Sequence, residues 1–539
     1  MTNAEHILPP HWTKGGRRIT KRIVLEGTLE LVTPASFGNG DADGLTDMPL
    51  ALDPLQECAL LTGASIAGAL RCYLRESIDG YEAARDQGEI KLARALFGSL
   101  ADDDEQSALI VDDALGTEKP VAEVRDGVRI AADTRTAFID PKGKGAKFDI
   151  ELLPAGTQFN LRFELLLSEF HDDAQRADLL RGLAVALRGL ESGAIHLGRR
   201  KRRGYGQCRV TQWQASYYNL LQYNGLLTWL SADLGQPATK TVICESKEIS
   251  DRNFIAEVLS GVCGITQADL QAEDKREHFT LKAAFALDGA LLIRSGSVLR
   301  DAAGAPLPAQ PDAVHLHSRR GNKSVPVLPG TSLAGVLRHR ALRIAQTLTP
   351  NGRAKELVDS IFGADMEELK KQKKQPWASR LEVKEAVIEK TQPLVQTRVK
   401  IDRFTGGAYD TALFDEAPVF NPTGGKGVTL ELKLRAAREK AAPLEAEIGL
   451  LLLLLKDLWT ADLPIGGASS VGRGRLRGDS AELNYHNGAN GWTATLKANP
   501  ASKAIALSGK THAELNQFVT ALKDYLDPKG GTTDEQPQN

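Results

Sequence analysis

The sequence predicts an α+β protein made of two tandem domains of one design. Three observations carry this. Leu61–Arg71 reads LTGASIAGALR and Leu328–Arg338 reads LPGTSLAGVLR, identical at seven of eleven positions. Further landmarks keep step: LFG at Leu96–Gly98 with IFG at Ile361–Gly363, VRIAADTRTA at Val128–Ala137 with VKIDRFTGGA at Val399–Ala408, and LGRRKRRGYG at Leu197–Gly206 with IGGASSVGRG at Ile465–Gly474. Strand-like and helix-like segments follow the same order in each half. A period of about 270 residues lies far above the roughly 20–50 of solenoids, so it marks two globular domains. The chain of 539 residues also exceeds what one hydrophobic core spans.

Each half opens with a segment alternating apolar and polar residues, Arg22–Leu31 and Phe279–Leu287, as a half-buried strand does. Long stretches of loop composition follow, Thr33–Gln56 and Asp288–Pro326. The shared G-x-S-x-A-G motif then opens a helix, with Ser65 and Ser332 at an N-cap or first-turn position. Strands are expected at Ala108–Val111 and Arg380–Val387, then at Gly156–Leu167 and Gly427–Leu434. A second apolar helix covers Ala177–Leu190, and its counterpart Pro443–Trp459. Each half closes in its glycine-rich loop. The order β…α…β…β…α…β predicts a ferredoxin-like, RNA-recognition-type core with large insertions. Domains are expected at 1–216 and 278–526, with 217–277 an extension and linker and 527–539 a disordered tail.

Composition narrows the class. Hydrophobic residues make up 42% and charged residues 25%, as in ordinary globular proteins. The first residues lack the apolar segment of a signal peptide, and the run Ile448–Leu455 is too short to span a bilayer, so it reads as a buried helix. Five irregularly spaced cysteines form no CxxC pair, which argues against a disulfide scaffold or structural zinc and favours a reducing cytoplasm without a membrane partner. The net charge is only −2, but basic residues gather at Lys14–Arg22, Arg199–Arg203 and Arg473–Arg477. A basic track with acidic faces elsewhere is therefore expected.

The glycine-rich loops suit a phosphate chain, because glycine lets backbone N–H groups approach while arginine and lysine neutralise charge. The alternative is a tight connection with solvated arginines. Recurrence in both halves favours RNA-backbone contact by Arg199, Arg200, Lys201, Arg202, Arg203, Arg473 and Arg475, with Arg17 and Arg18 from the first basic cluster. The helix starts at Ser65 and Ser332 could hold an anion. Close helix–strand packing through Gly68 and Gly335 is the competing explanation. Arg71 and Arg338 could extend the phosphate track.

These elements together resemble the RAMP superfamily of CRISPR proteins, specifically the Cas-seven backbone subunits of type III effectors (Csm- and Cmr-type). The resemblance rests on the first strand with its Asp-bearing loop, the G-x-S-x-x-G helix start, the IDRFTGGA segment at Ile401–Ala408 and the terminal glycine-rich loop. The first half departs from it, with AADTRTA at Ala131–Ala137. Two such domains in one chain look like the fused double subunit of type III-D-like systems. The resemblance implies binding of a guide CRISPR RNA and complementary target RNA. Its implied partners are other backbone subunits, a large polymerase-like subunit and small helical subunits. It also implies a thumb hairpin in each half, carrying Arg129 in the first and Lys400 and Arg403 in the second. Finally it implies target cleavage at regular intervals by a loop aspartate with a divalent metal ion, Mg or Mn.

The family's acid maps onto Asp47, within GLTDMP. Asp53 matches a second, structural acid, and Asp41 and Asp43 share the loop. In the second half the same offset falls at Val314, with Asp312 just upstream and no D-x-P after it, so that half is expected to carry the weaker candidate. His315 and His317 offer a rival, metal-free base chemistry, and His196 a simple phosphate contact. A non-catalytic scaffold of the same complex and a guide-precursor processing endonuclease are the competing functions. Which residues would ligate a metal is not legible.

Overall fold

The computed structural model describes residues 18–528 except 39, 41–45, 82–90, 100–105, 132–133, 135, 140–142, 144, 146, 232–239, 246–252, 297, 299–305, 307, 309, 322, 350–351, 365–368, 370–372, 374–376, 422–426, 438–441, 489 and 500–504. Arg17, Asp41, Asp43 and residues 529–539 of the expected tail lie outside the described residues. The chain divides into two units. The first holds the described residues of Met1–Val124, Asp149–Lys201 and Tyr205–Lys275; the second holds those of Arg125–Phe148, Arg202–Gly204 and Arg276–Asn539.

The first unit is built on β1 (Ile19–Leu31), β2 (Leu109–Val111), β3 (Gln158–Ser168), β4 (Cys208–Asn219) and β5 (Lys240–Glu245). Their order across the antiparallel sheet is β2-β3-β1-β4-β5. Helix α1 (Gly63–Asp79) lies between β1 and β2 in sequence, and α3 (Asp173–Glu191) between β3 and β4. This is the ferredoxin-like order, with β5 added at the β4 edge. The inward residues of β1, Ile23, Leu25, Leu29 and Leu31, are wholly buried. They pack with Ile66, Leu70 and Leu74 of α1 and Leu183 and Leu187 of α3. Alternation along the strand and helical spacing along the helices thus meet in one core.

The second unit repeats the design with β6 (His278–Asp288), β7 (Leu381–Val383), a hairpin of β8 (Gln396–Ile401) and β9 (Ala408–Ala417), β10 (Val428–Arg435), β11 (Arg475–His486), β12 (Trp492–Ala498) and β13 (Ile505–Ser508). Its main sheet runs β7-β10-β6-β11-β12-β13. The helices are α6 (Gly330–Leu348), α7 (Arg353–Phe362), α8 (Leu444–Trp459) and α9 (His512–Leu526), which follow α2 (Lys91–Phe97), α4 (Tyr223–Leu230) and α5 (Phe254–Cys263) of the first unit. The apolar run Ile448–Leu455 lies inside α8, with Ile448, Leu450, Leu451, Leu454 and Leu455 buried. No helix among the described residues is long and apolar enough to cross a membrane. A register shift falls at Thr28/Leu29 against β4 and at Ala284/Phe285 against β11, so even this irregularity repeats.

Two expectations need correction. Most of residues 217–277 is an extension of the first domain, with only 264–277 left as a connection: β4 runs on to Asn219, β5 pairs with it from Gln212↔Glu245 to Tyr217↔Lys240, and α5 buries Phe254, Ile255 and Leu259 in the first core. The counterparts in the second unit are β12, β13 and α9 at the same edge. The similarity escapes sequence comparison because the added strands differ in number and letters. The stretch Asp288–Pro326, expected as loop, includes a hairpin of His317–Arg320 with Lys323–Leu328, turning at Gly321 with φ 56°. Its alternation is short and masked by charge.

Candidate nucleic-acid interface

Both candidate aspartates are exposed, and the fold holds them in the same way. The carboxylate of Asp47 accepts the backbone N–H of Asp149 at 2.9 Å, and that of Asp312 accepts the backbone N–H of Asp415 at 2.8 Å. The next residues pair in parallel in each half, Met48↔Ile150 and Ala313↔Glu416. Asp47 and Asp312 therefore occupy equivalent positions, each docked on the strand that leaves its hairpin: Lys147–Leu152, which pairs with Glu123–Val128, for Asp47, and β9 for Asp312. Where the first half places Pro49 between two isolated bridges, in the second half the strand Ala313–His315 follows Asp312 directly. Around Asp47 the carboxylate of Glu151 braces both flanks, accepting from Thr46 Oγ1 at 3.0 Å and Leu50 N at 3.1 Å. Asp53 caps its own turn by accepting the N–H groups of Leu55 and Gln56, a local structural role.

The glycine-rich loops share their left-handed positions. Arg200 and Ala468 are left-handed at φ 56° and 58°, and Gly204 and Gly472 at 84° and 89°. Leu197 N donates to Gly206 O and Ile465 N to Gly474 O, both at 2.8 Å. Gly206 and Gly474 are required: a Cβ there would lie 1.8 and 1.9 Å from the carbonyl oxygens of Leu197 and Ile465. In the first unit Arg199 and Arg200 line a small cavity with Ser36, Met48, Ile150, Leu152 and Tyr205. The glycine-rich loop and the segment bearing Asp47 thus converge. Burial holds the Arg200 guanidinium below the usual arginine range. Lys201 is exposed, and its carbonyl lies 3.3 Å from Nδ1 of His196.

The second unit reaches the same convergence through charge. Glu416, 1% exposed, meets Arg473 at 2.7 Å, Arg294 at 2.9 Å and Arg398 at 3.2 Å. Burial alone would raise its carboxyl, but Arg473, then Arg398 and Arg294, more than offset this and hold it below the usual carboxylate range. Arg473 also donates to Gln396 at 2.7 Å. Only 4% exposed, it is a buried tie and not the surface phosphate contact expected of it. Arg475 beside it is exposed.

Other expected contacts are spent on structure. Arg71 donates to Gly98 O at 2.7 Å, and Arg338 binds Gly363 O and Asp359, so both clamp the glycine that ends the following helix. The two LFG/IFG landmarks recur because they receive these arginines. Arg202 pairs with Glu382 at 3.4 Å and Arg203 donates to Phe362 O at 3.1 Å, both within the second unit. At the helix starts, Thr62 is the N-cap of α1 and its hydroxyl lies 2.9 Å from that of Ser65; Pro329 precedes α6, with Ser332 in the first turn. The Gly63 amide is taken by Asp113 at 2.7 Å, a carboxylate from the same unit where an external anion would sit. Close packing is real but runs through other glycines than expected. A Cβ on Gly63 would lie 2.2 Å from Val111 O and one on Gly330 2.3 Å from Val383 O, whereas Gly68 and Gly335 face open space.

The hairpins present basic and apolar groups to solvent. Lys400 lies 4.6 Å over the Tyr409 ring, and Arg129 4.4 Å over Phe138. Asp402 fixes the β8–β9 tip by accepting from Phe404 N and Thr405 Oγ1, leaving Arg403 exposed and Phe404 97% exposed. Arg18 is half-buried at the start of β1.

Histidine base chemistry at 315 is overturned. His315 is fully buried, its Nδ1 accepts from Ile293 N at 3.2 Å, and its Nε2 lies 3.1 Å from Val327 O. Burial pushes it down to about 4, so it stays a neutral core residue. His317 is likewise lowered by burial and contacts His315 O at 2.7 Å. Among the described residues no cluster of three or more His, Cys, Asp or Glu could cage a metal. A single exposed carboxylate such as Asp47 or Asp312 has the chemistry to bind an ion that is shared with substrate phosphates, as magnesium commonly is.

Sequence reading missed Arg294, Glu416, Glu151 and the amide donors Asp149 and Asp415. None carries a motif; the pairing of strands brings them in.

Fold and site define a tandem pair of ferredoxin-like domains, each joining a loop aspartate to a glycine-rich loop. The RAMP superfamily pattern matches residues 28–209 and 288–477, once in each half, and the chain belongs to that superfamily. No curated protein sequence matches the chain. Membership makes it a CRISPR-associated RNA-binding subunit.

Proposed function

We propose that the chain is a guide-RNA-binding backbone subunit of a type III effector, a tandem fusion that also cuts bound target RNA. The observation that carries this is the equivalence of Asp47 and Asp312, each exposed and each held by a backbone amide of the strand leaving its hairpin. In this reading the hairpins splay the guide–target duplex. A ribose 2′-OH then attacks the adjacent phosphorus: the O2′–P bond forms, the P–O5′ bond breaks, and the departing 5′-oxygen takes a proton from water, so that a 2′,3′-cyclic phosphate and a 5′-OH result. Asp47 or Asp312 orients the 2′-OH and takes its proton, so that positioning supplies most of the rate. A divalent ion, Mg or Mn, shared between that carboxylate and the RNA would neutralise charge on the phosphate. The partners are the target RNA, further backbone subunits, a large polymerase-like subunit and small helical subunits, in the cytoplasm.

The test is a denaturing gel of end-labelled target RNA cut by the assembled complex. Asp47→Ala and Asp312→Ala are each expected to remove different bands while guide RNA is retained. A ladder unchanged in both variants and in the double variant would leave a pure scaffold. Processing of guide precursors loses its main support with His315 buried.

A further inference from the structure

Arginine and glycine have exchanged places between the two halves. Gly38 pairs with Leu50 and Arg294 with His315, one on each side of the same parallel bridge to the hairpin strand. Arg199 N donates to Ser36 O at 3.1 Å and Gly467 N to Leu292 O at 2.8 Å, which sets the glycine-rich loops in one register. Gly38 therefore corresponds to Arg294, and Arg199 to Gly467.

In the first unit the Arg199 guanidinium rests on the bare face of Gly38, where a Cβ would lie 2.8 Å from its Cζ. In the second unit the side chain rises from the Gly38 position instead and reaches Glu416 at 2.9 Å, and no Arg294 atom lies within 4 Å of where a Cβ on Gly467 would stand. Each half thus places an exposed arginine, from one or the other of these two positions, in the corner between the glycine-rich loop and the strand beside its aspartate.

What stands behind that guanidinium is not kept. Arg294 meets Glu416, whereas the corresponding residue in the first unit is the apolar Ile150. A purely structural ion pair would have kept its partner. Three guanidiniums around one carboxylate also leave surplus positive charge, and the Arg294 side chain is 64% exposed. We propose that Arg199 and Arg294 are equivalent contacts for a backbone phosphate, one per domain, with Arg294 filling in the second half the role expected of Arg473. This rests on the RNA-binding reading above.

The experiment measures binding of the full chain to a fluorescein-labelled single-stranded RNA of mixed sequence across a salt series. Each lost phosphate contact lowers the slope of log affinity against log salt by about 0.7. Arg294→Gly and Arg294→Gln should each lose one such step and bind several-fold more weakly. The double variant R294G/G467R, which rebuilds the arrangement of the first half, should recover both slope and affinity. Gly467 can accept the change, since a Cβ there meets nothing closer than Leu292 O at 3.6 Å. An unchanged slope in R294Q, or no recovery in a double variant with wild-type urea midpoint, overturns the inference alone. A wild-type chain that fails to retain RNA overturns the RNA-binding reading as well.

Discussion

In the first unit the apolar Ile150, with Met48, Leu152 and Tyr205, lines the corner beside Arg199 and Arg200; in the second the same corner is held by the carboxylate of Glu416 and three arginines. The backbone is the same in both, down to the parallel bridge and the left-handed residue in the glycine-rich loop. The fold needs the three segments joined and accepts either chemistry for the joint. The two joints differ in how they fail. Apolar packing loses energy in proportion to the atoms removed, whereas a buried carboxylate, once removed, strands every charge it had satisfied.

The largest expected effect follows from that asymmetry. Glu416→Ile, which installs the residue of the first half, should destabilise the second unit by about 3–5 kcal/mol, because Arg473 stays buried without its carboxylate. Ile150→Val should cost the first unit only about 0.5–1.5 kcal/mol. Urea unfolding of the full chain, followed at the two transitions, measures both. Equal costs would mean that the ionic corner is solvated and the contrast false.

Acidity should separate the halves next. His315 sits where the first unit has Leu50, and its folded value of about 4 lies below the ordinary 6.5. A histidine depressed in the folded state contributes stability that is present above pH 6.5 and lost as pH falls toward 4. The loss is about 3 kcal/mol for a shift of this size. His278, pushed down to about 3 by burial and then by Lys433, adds to the same window and also belongs to the second unit. Urea midpoints from pH 7 to 4 should therefore fall in the second transition, and His315→Leu should reduce that slope without removing it. A slope confined to the first transition would contradict the assignment.

The motif glycines should make the halves agree. Gly63→Ala and Gly330→Ala each force a methyl into a strand carbonyl, and overpacking of this kind costs about 1–3 kcal/mol. Gly68→Ala and Gly335→Ala should be neutral or slightly stabilising, since their faces are open and alanine favours a helix. Thermal unfolding of the four variants checks the pattern.

How much of this was legible depended on whether a feature repeats as letters or as positions. The strands and helices were readable because alternation in β1 and the apolar run in α8 are forced by one-sided and full burial. The glycine-rich loops were readable because left-handed and crowded positions select glycine in both halves. Their arginines misled, since Arg473 and Arg203 carry the right letter but spend it on internal partners. Arg294 was invisible for the opposite reason: letter by letter it faces a glycine, and only strand register shows that the guanidinium stayed while its point of attachment moved. The β5–α5 addition has no legible counterpart in sequence because an edge strand and one helix face constrain few residues.

The smallest effect on stability is expected at the hairpin tip, where the halves differ most in sequence. Phe404 is 97% exposed on a turn pinned by Asp402, while the first half writes AADTRTA at that place, without an aromatic. Removing a solvated ring should change stability by no more than about 0.5 kcal/mol. If the ring stacks on a nucleotide base, its loss should weaken only what the second half does, since base–aromatic stacking is worth about 1–3 kcal/mol. Phe404→Ala should therefore diminish the band that depends on Asp312 and spare the one that depends on Asp47, with Phe404→Trp restoring it. An equal effect on both bands would show that the tip serves the whole assembly, and the functional contrast between the hairpins would go.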